Sequence, residues 1–226
     1  MKHGDVVLLV FVPGLAFTAS LIACFKAGLI GVPVYPPDPT RLGKELHHFT
    51  TIQQDCGAKV ALTHGVYSFA KTIGDIKGFF SFGKKEVSWP DLKWIQVDSV
   101  LNAGRKTNAS VRHNPQADLA FLQYTSGSTS APKGVMVSPQ NLASNIHFMA
   151  ESCKFSKDTV TVSWLPQYHD MGLIGTYLKT VYLGGSGFYM SPLGFLKDPL
   201  QWIRLTDRVR ATYTVVSLFN DLLCPS

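Results

Sequence analysis

Apolar runs alternate along this chain with amphipathic stretches, and the alternation is that of strand, helix and strand. Val6 to Val34 contains one ionised side chain, Lys26, and is interrupted by Pro13-Gly14. The pieces read as a buried strand over Val6 to Phe11, a buried helix over Ala16 to Ala27 and a second strand over Gly31 to Tyr35. Each is short for a membrane span of about 20 apolar residues. A signal peptide or membrane anchor over Val6 to Val34 is the competing reading. The break, together with the poorly basic start formed by Lys2 and Asp5, counts against it.

The alternation continues beyond the turn Pro36-Pro37-Asp38-Pro39. Thr40 is positioned to cap a helix in which Leu42, Leu46, Phe49 and Ile52 recur at helical spacing, and Gly57 ends it. Val60 to Thr63 and Trp94 to Val97 predict short strands, with a helical turn or two over Tyr67 to Ile73. Gly74 to Lys93 lacks periodicity and reads as loop. Asn102 to Pro115 is a polar connection between two sub-domains.

Leu119 to Gln123 is an apolar run leading into a Gly/Ser/Thr loop, and Val135 to Val137 is its return strand. Ser138-Pro139 supplies an N-cap and a first-turn proline for a helix through about Ser152. Strands over Thr159 to Trp164, Gly187 to Met190 and Ala211 to Val216 alternate with helices over Met171 to Tyr182 and Asp198 to Val209. The whole is the one-dimensional pattern of an α/β fold with doubly wound, mostly parallel sheets flanked by helices.

Composition adjusts this picture only slightly. Apolar residues make up 46% of the 226 positions and charged residues 16%, which leaves an apolar surface that a further domain would cover. The formal charge is +6, yet the basic residues are scattered, as at Lys84-Lys85, so no tract suits nucleic acid. Cys24, Cys56, Cys153 and Cys224 show no zinc spacing and read as reduced thiols, consistent with a cytoplasmic location.

The candidate chemistry lies in two constellations. In Tyr124-Thr-Ser-Gly-Ser-Thr-Ser-Ala-Pro-Lys133-Gly134, small residues let backbone N–H groups approach phosphate oxygens while hydroxyls add donors. Thr125, Ser126, Gly127, Ser128 and Thr129 provide both, and Lys133, set between Pro132 and Gly134, supplies the cation. The order is not that of a Walker A loop. In the second, Trp164-Leu-Pro-Gln-Tyr-His169-Asp170-Met171-Gly172-Leu-Ile-Gly175, a strand meets a helix, the place where open α/β sheets gather ligands. Tyr168, His169, Asp170, Met171 and Gly172 are the candidates there for the vicinity of a carboxylate or acyl chain.

The first constellation resembles the signature phosphate loop of the adenylate-forming, AMP-binding superfamily. The second is similar to fatty acyl-AMP ligases, as are Val32 to Pro39 and Met190 to Trp202, and the likeness runs over residues 4 to 215. It implies ATP-dependent activation of a fatty acid to acyl-AMP, with ATP and Mg2+ as cofactors and Lys133 and His169 as catalytic residues. No metal ligand is expected within this chain. The implied partners are a fatty acid and an acyl-carrier protein or CoA as acceptor, with no nucleic acid and no stable membrane span. Ser130 stands where the family has a glycine, which puts strain on the loop if that position needs positive φ.

The resemblance implies a partial N-terminal domain. It divides into sub-domains over 1–115 and 116–226, with the C-terminal lid and its lysine beyond Ser226. A non-catalytic interaction module or degenerate paralogue with the same fold is the alternative.

Overall fold

In the computed structural model, residues 1–38, 42–79, 89–98, 119–125 and 132–215 are described. The central strand β1 (Val6–Val10) carries no polar side chain, and Val7, Leu8, Leu9 and Val10 are fully buried. Each such side chain contributes ~1.5–3 kcal/mol when removed from water. Strands β2 (Ile30–Val34) and β3 (Val60–Thr63) flank β1 in parallel, with Leu8 opposite Val32 on one side and Ala61 on the other. Strand β4 (Lys93–Gln96) extends the sheet beyond β3, whereas β5 (Phe121–Thr125) lies beside β2 and pairs antiparallel with β6 (Lys133–Val137). The order is therefore β4-β3-β1-β2-β5-β6.

Reversal of direction after β2 places helices on both faces, as right-handed crossovers require. Helix α1 (Leu15–Ala27) buries Phe17, Leu21 and Cys24 on the face where Gly31 of β2 lies beneath Leu21. Helix α2 (Leu42–Cys56) brings Leu46, Phe49 and Ile52 to the opposite face, against Leu8, Val10, Val32, Val34 and Ala61. The segment from Val6 to Val34 is thus strand, helix and strand. No helix among the described residues is long and apolar enough to cross a membrane.

Gly57, at φ +64, ends α2 as its position predicts, while the cap expected of Thr40 lies outside the described residues. Helix α3 (Gly65–Phe79) is longer than periodicity indicates, running through Gly74, where a loop was expected. Its start is fixed from a distance. The Asp98 carboxylate accepts the Gly65 N–H at 2.7 Å, and Tyr67 donates its hydroxyl to the Pro37 carbonyl at 2.7 Å. A mid-helix glycine costs only ~1 kcal/mol, and the helix continues past Gly74.

The chain forms two compact units, Met1–Leu142 and Ala143–Ser226. The division falls at Leu142, beyond the polar connection at 102–115, because β5 and β6 belong to the first sheet. Helix α4 (Pro139–Cys153) begins where Ser138 Oγ accepts the Asn141 N–H at 3.1 Å, the expected cap.

The second unit is built on a three-stranded parallel sheet in which β7 (Val160–Ser163) lies between β8 (Ser186–Tyr189) and β9 (Tyr213–Thr214). Its helical run starts as α5 (Asp170–Gly172), passes through a π-helical segment (Leu173–Leu178) and ends as α6 (Lys179–Leu183). Two helices follow, α7 (Pro192–Lys197) and α8 (Leu200–Arg208). Trp164 stacks on Phe195 at 4.0 Å between centroids, and Trp202 packs against the same pair.

Candidate functional site

The stem of the Gly/Ser/Thr loop is an antiparallel ladder in which Phe121 pairs with Val137, Tyr124 with Gly134 and Thr125 with Lys133. The ends of the loop are therefore cross-strand neighbours. Ser126, Gly127, Ser128, Thr129 and Ser130 lie outside the described residues. Thr125 and Lys133 are both exposed, and Lys133 makes no ion pair among the described residues.

Two contacts of the hairpin stem emerge only from the folded chain. The Tyr124 ring lies across Gly134, where an added Cβ would come 2.8 Å from the ring Cζ and 3.0 Å from the hydroxyl. The same hydroxyl donates a short hydrogen bond to the Asp55 carboxylate near the end of α2. Burial, then the bond to Asp55, push the Tyr124 phenol well above its ordinary range. Sequence reading missed Asp55 because 69 residues separate it from Tyr124. No local spacing signals such a pair.

The second constellation lies wholly within the second unit. Strand β7 is buried and delivers Trp164 and Leu165 into a turn whose Pro166 carbonyl accepts the His169 N–H at 3.1 Å. His169 precedes α5 in extended conformation, and its carbonyl accepts the Leu173 N–H at 2.7 Å. Its Nδ1 lies 2.7 Å from Asp170 Oδ1, which also accepts the Met171 N–H at 2.7 Å. The imidazole and carboxylate are 64% and 60% exposed, so a ligand arriving from solvent would meet both. Met171 is 46% exposed and Tyr168 half-buried.

Gly172 is required by close approach. A Cβ there would lie 2.2 Å from the Pro166 carbonyl oxygen, so the turn and the helical run can meet only without a side chain. Gly175 differs, since a Cβ would meet nothing within 4 Å. Thr176 donates its hydroxyl to the Gly172 carbonyl at 2.6 Å inside the π-helical segment. Such segments interrupt helices next to functional positions more often than elsewhere.

One buried cation went unnoticed in the sequence. Lys179 is fully buried, with Nζ 3.8 Å from the centroid of Phe155 and 3.6 Å from that of Tyr213. Burial lowers its pKa from 10.5 to about 8, against a smaller opposite effect from Cys153. The signal was a lone lysine in the apolar stretch Leu173 to Leu183, which periodicity alone treats as a surface position.

Comparison with known proteins gives a consistent result. The family described as AMP-binding enzyme matches residues 1–225. The medium-chain-fatty-acid–[acyl-carrier-protein] ligase JamA of Moorena producens is 34% identical over 95% of this chain and 35% of its own length. The long-chain-fatty-acid–AMP ligase FadD26 of Mycobacterium marinum is 31% identical over 89% of this chain and 33% of its own. A fatty acyl-adenylate ligase from L. pneumophila, solved with acyl adenylate and pyrophosphate, superposes with a TM-score of 0.75 at 34% identity, covering 95% of this chain and 35% of that one. An adenylation domain from a keto acid-selecting module, at 22% identity and a TM-score of 0.81 over 95% of this chain and 38% of that one, shares the fold. The chain thus spans about a third of the length of the curated relatives it matches, 35% and 33% in these two cases.

Proposed function

Because the chain belongs to the AMP-binding enzyme family, we propose that it serves the ATP-dependent activation of a fatty acid as acyl-adenylate. In that reaction a carboxylate oxygen attacks the α-phosphorus of ATP. The bond from that phosphorus to the bridging oxygen breaks, and pyrophosphate leaves with the electron pair. The protein's task is to position the reactants and offset charge on the phosphoryl oxygens.

The observation that carries the reading is the pairing of Thr125 with Lys133, which closes a loop of small and hydroxyl residues beside an exposed ammonium. In this role Lys133 faces the polyphosphate, and loop amides with the hydroxyls of Thr125, Ser126, Ser128 and Thr129 bind its oxygens. His169, open to solvent beside Asp170, faces the carboxylate or the forming adenylate. Among the described residues no group of three His, Cys, Asp or Glu side chains could hold a metal ion. Mg2+ enters this proposal as the counter-ion of ATP, and no step is assigned to it.

The relatives named as fatty-acid ligases support a fatty acid as substrate, and the likeness to JamA supports a carrier-protein thiol as acceptor, with CoA as the other candidate. Free thiols at Cys24, Cys56 and Cys153 suit the reducing, ATP-rich cytoplasm. The test is ATP–pyrophosphate exchange dependent on fatty acid. Lys133→Ala is expected to lower exchange by about 100-fold, the loss typical of a charge-stabilising donor. Exchange at the unaltered rate would remove Lys133 from the role.

A further inference from the structure

We propose that Asp55 is a positioning residue for Lys133, acting through Tyr124 and Gly134. The proposal rests on the ATP-binding role given to Lys133 above and deepens it by naming what fixes that residue's backbone.

Three contacts form the chain of action. Lys133 is joined to Gly134, and Gly134 is the cross-strand partner of Tyr124. The Tyr124 ring folds across Gly134, its Cζ, hydroxyl and Cε2 lying 2.8, 3.0 and 3.1 Å from where a Cβ would be. Gly134 is absent from the glycines with positive φ, so its lack of a side chain serves space and not backbone conformation. The Tyr124 hydroxyl donates to the Asp55 carboxylate, which tethers the ring to the end of α2. Leu122 and Tyr124 also pack against the core on the α2 side, so the ring is held at its base by packing and at its tip by Asp55.

Without Asp55 the tip of the ring is released, and one χ1 change lifts it from Gly134. The backbone next to Lys133 then loses its cover on that face. Edge strand β6, where Val135 is 50% and Met136 68% exposed, offers little other packing to hold it. Asp55 is itself exposed, so its removal takes almost nothing from the core. A positioning role is for that reason separable from a structural one.

The test uses Asp55→Ala, Asp55→Asn and Tyr124→Phe in fatty-acid-dependent ATP–pyrophosphate exchange, with melting temperature measured alongside. Asp55→Ala and Tyr124→Phe are expected to raise the KM for ATP by about five- to tenfold, the loss of one hydrogen bond to a charged group. The KM for fatty acid and the melting temperature should stay near those of the unaltered protein. Asp55→Asn, whose amide oxygen still accepts the phenol, should restore most of the ATP affinity. Amide hydrogen exchange at Gly134 and Val135 should quicken in Asp55→Ala.

An ATP KM within twofold of the unaltered protein in both variants would overturn the proposal while leaving the function intact. So would a parallel fall in both affinities and in melting temperature, or failure of Asp55→Asn to recover. If the unaltered protein neither binds ATP nor supports exchange, the functional reading itself fails, and this inference with it.

Discussion

Lys179 holds its ammonium 3.6 Å from the centre of the Tyr213 ring with no hydrogen-bond acceptor for Nζ among the described residues. Phe155, the other ring at 3.8 Å, is likewise uncharged. Ring quadrupoles attract the cation, yet two such contacts recover only ~1–4 kcal/mol, less than a buried charge gives up in leaving water.

The consequence is a dependence of stability on pH with a definite sign. Lys179 has a folded pKa of about 8 against an ordinary value of 10.5, so below pH 8 both states are protonated and the cost of burial is fully present. As pH rises from 8 to 10.5, the folded protein loses its proton first and the cost is relieved. Lys179→Met should therefore raise stability at pH 7 by about 1–2 kcal/mol, after allowance for the lost ring contacts. The gain should shrink towards pH 10. Denaturant midpoints of both proteins across this range provide the check, and a gain independent of pH would show that the lysine is not the titrating group.

A second prediction contrasts two glycines of one helical run. A Cβ at Gly172 meets backbone, 2.2 Å from the Pro166 oxygen and 3.0 Å from its carbonyl carbon, and backbone cannot rotate aside. Gly172→Ala should cost about 2–4 kcal/mol, in the range of overpacking that moves main chain. Gly175→Ala meets open space and should be neutral or stabilising by ~0.5–1 kcal/mol, since alanine loses less backbone entropy. Equal effects in chemical denaturation would contradict this reading of the turn.

Two residues without that freedom take a glycine's conformation. Lys154 ends α4 at φ 56 and Arg210 follows α8 at φ 50, each with the bonds of a left-handed C-cap. Phe155 N–H reaches the Ala150 carbonyl at 2.9 Å and Ala211 N–H that of Thr206 at 2.9 Å. Lys154→Gly and Arg210→Gly should each stabilise by about 0.5–1 kcal/mol, and additively, as shifts in thermal midpoint would report.

These cases mark which parts of the fold were legible in the sequence. Strands β1 and β2 and helix α1 were, because burial on both faces of a parallel sheet leaves continuous apolar runs that two turns punctuate. The Ser138-Pro139 start of α4 was, since a cap acts over three residues. The start of α3 at Gly65 was not, because Asp98 anchors it from 33 residues away. The π-helical segment was not, as its period is hidden within one helical pattern. At the candidate site, residue types and order were legible in both constellations. The brace on Gly134 and the cage around Lys179 were not, for each depends on partners that only tertiary contact supplies.

The last prediction concerns the pair in the second constellation. With Nδ1 of His169 2.7 Å from Asp170 Oδ1, the nitrogen left for a ligand is Nε2. An exposed pair of this kind adds ~0–1 kcal/mol to stability, so replacing either residue should leave the fold intact. Any loss of activity then reports on chemistry. His169→Ala should lower fatty-acid-dependent exchange by about 100-fold, within the range for a positioned imidazole. Asp170→Asn keeps an oxygen that accepts from Nδ1 but removes the charge that holds the ring, and should cost about three- to tenfold. A larger loss from Asp170→Asn than from His169→Ala would reverse the order of action, making the carboxylate the group that meets the substrate.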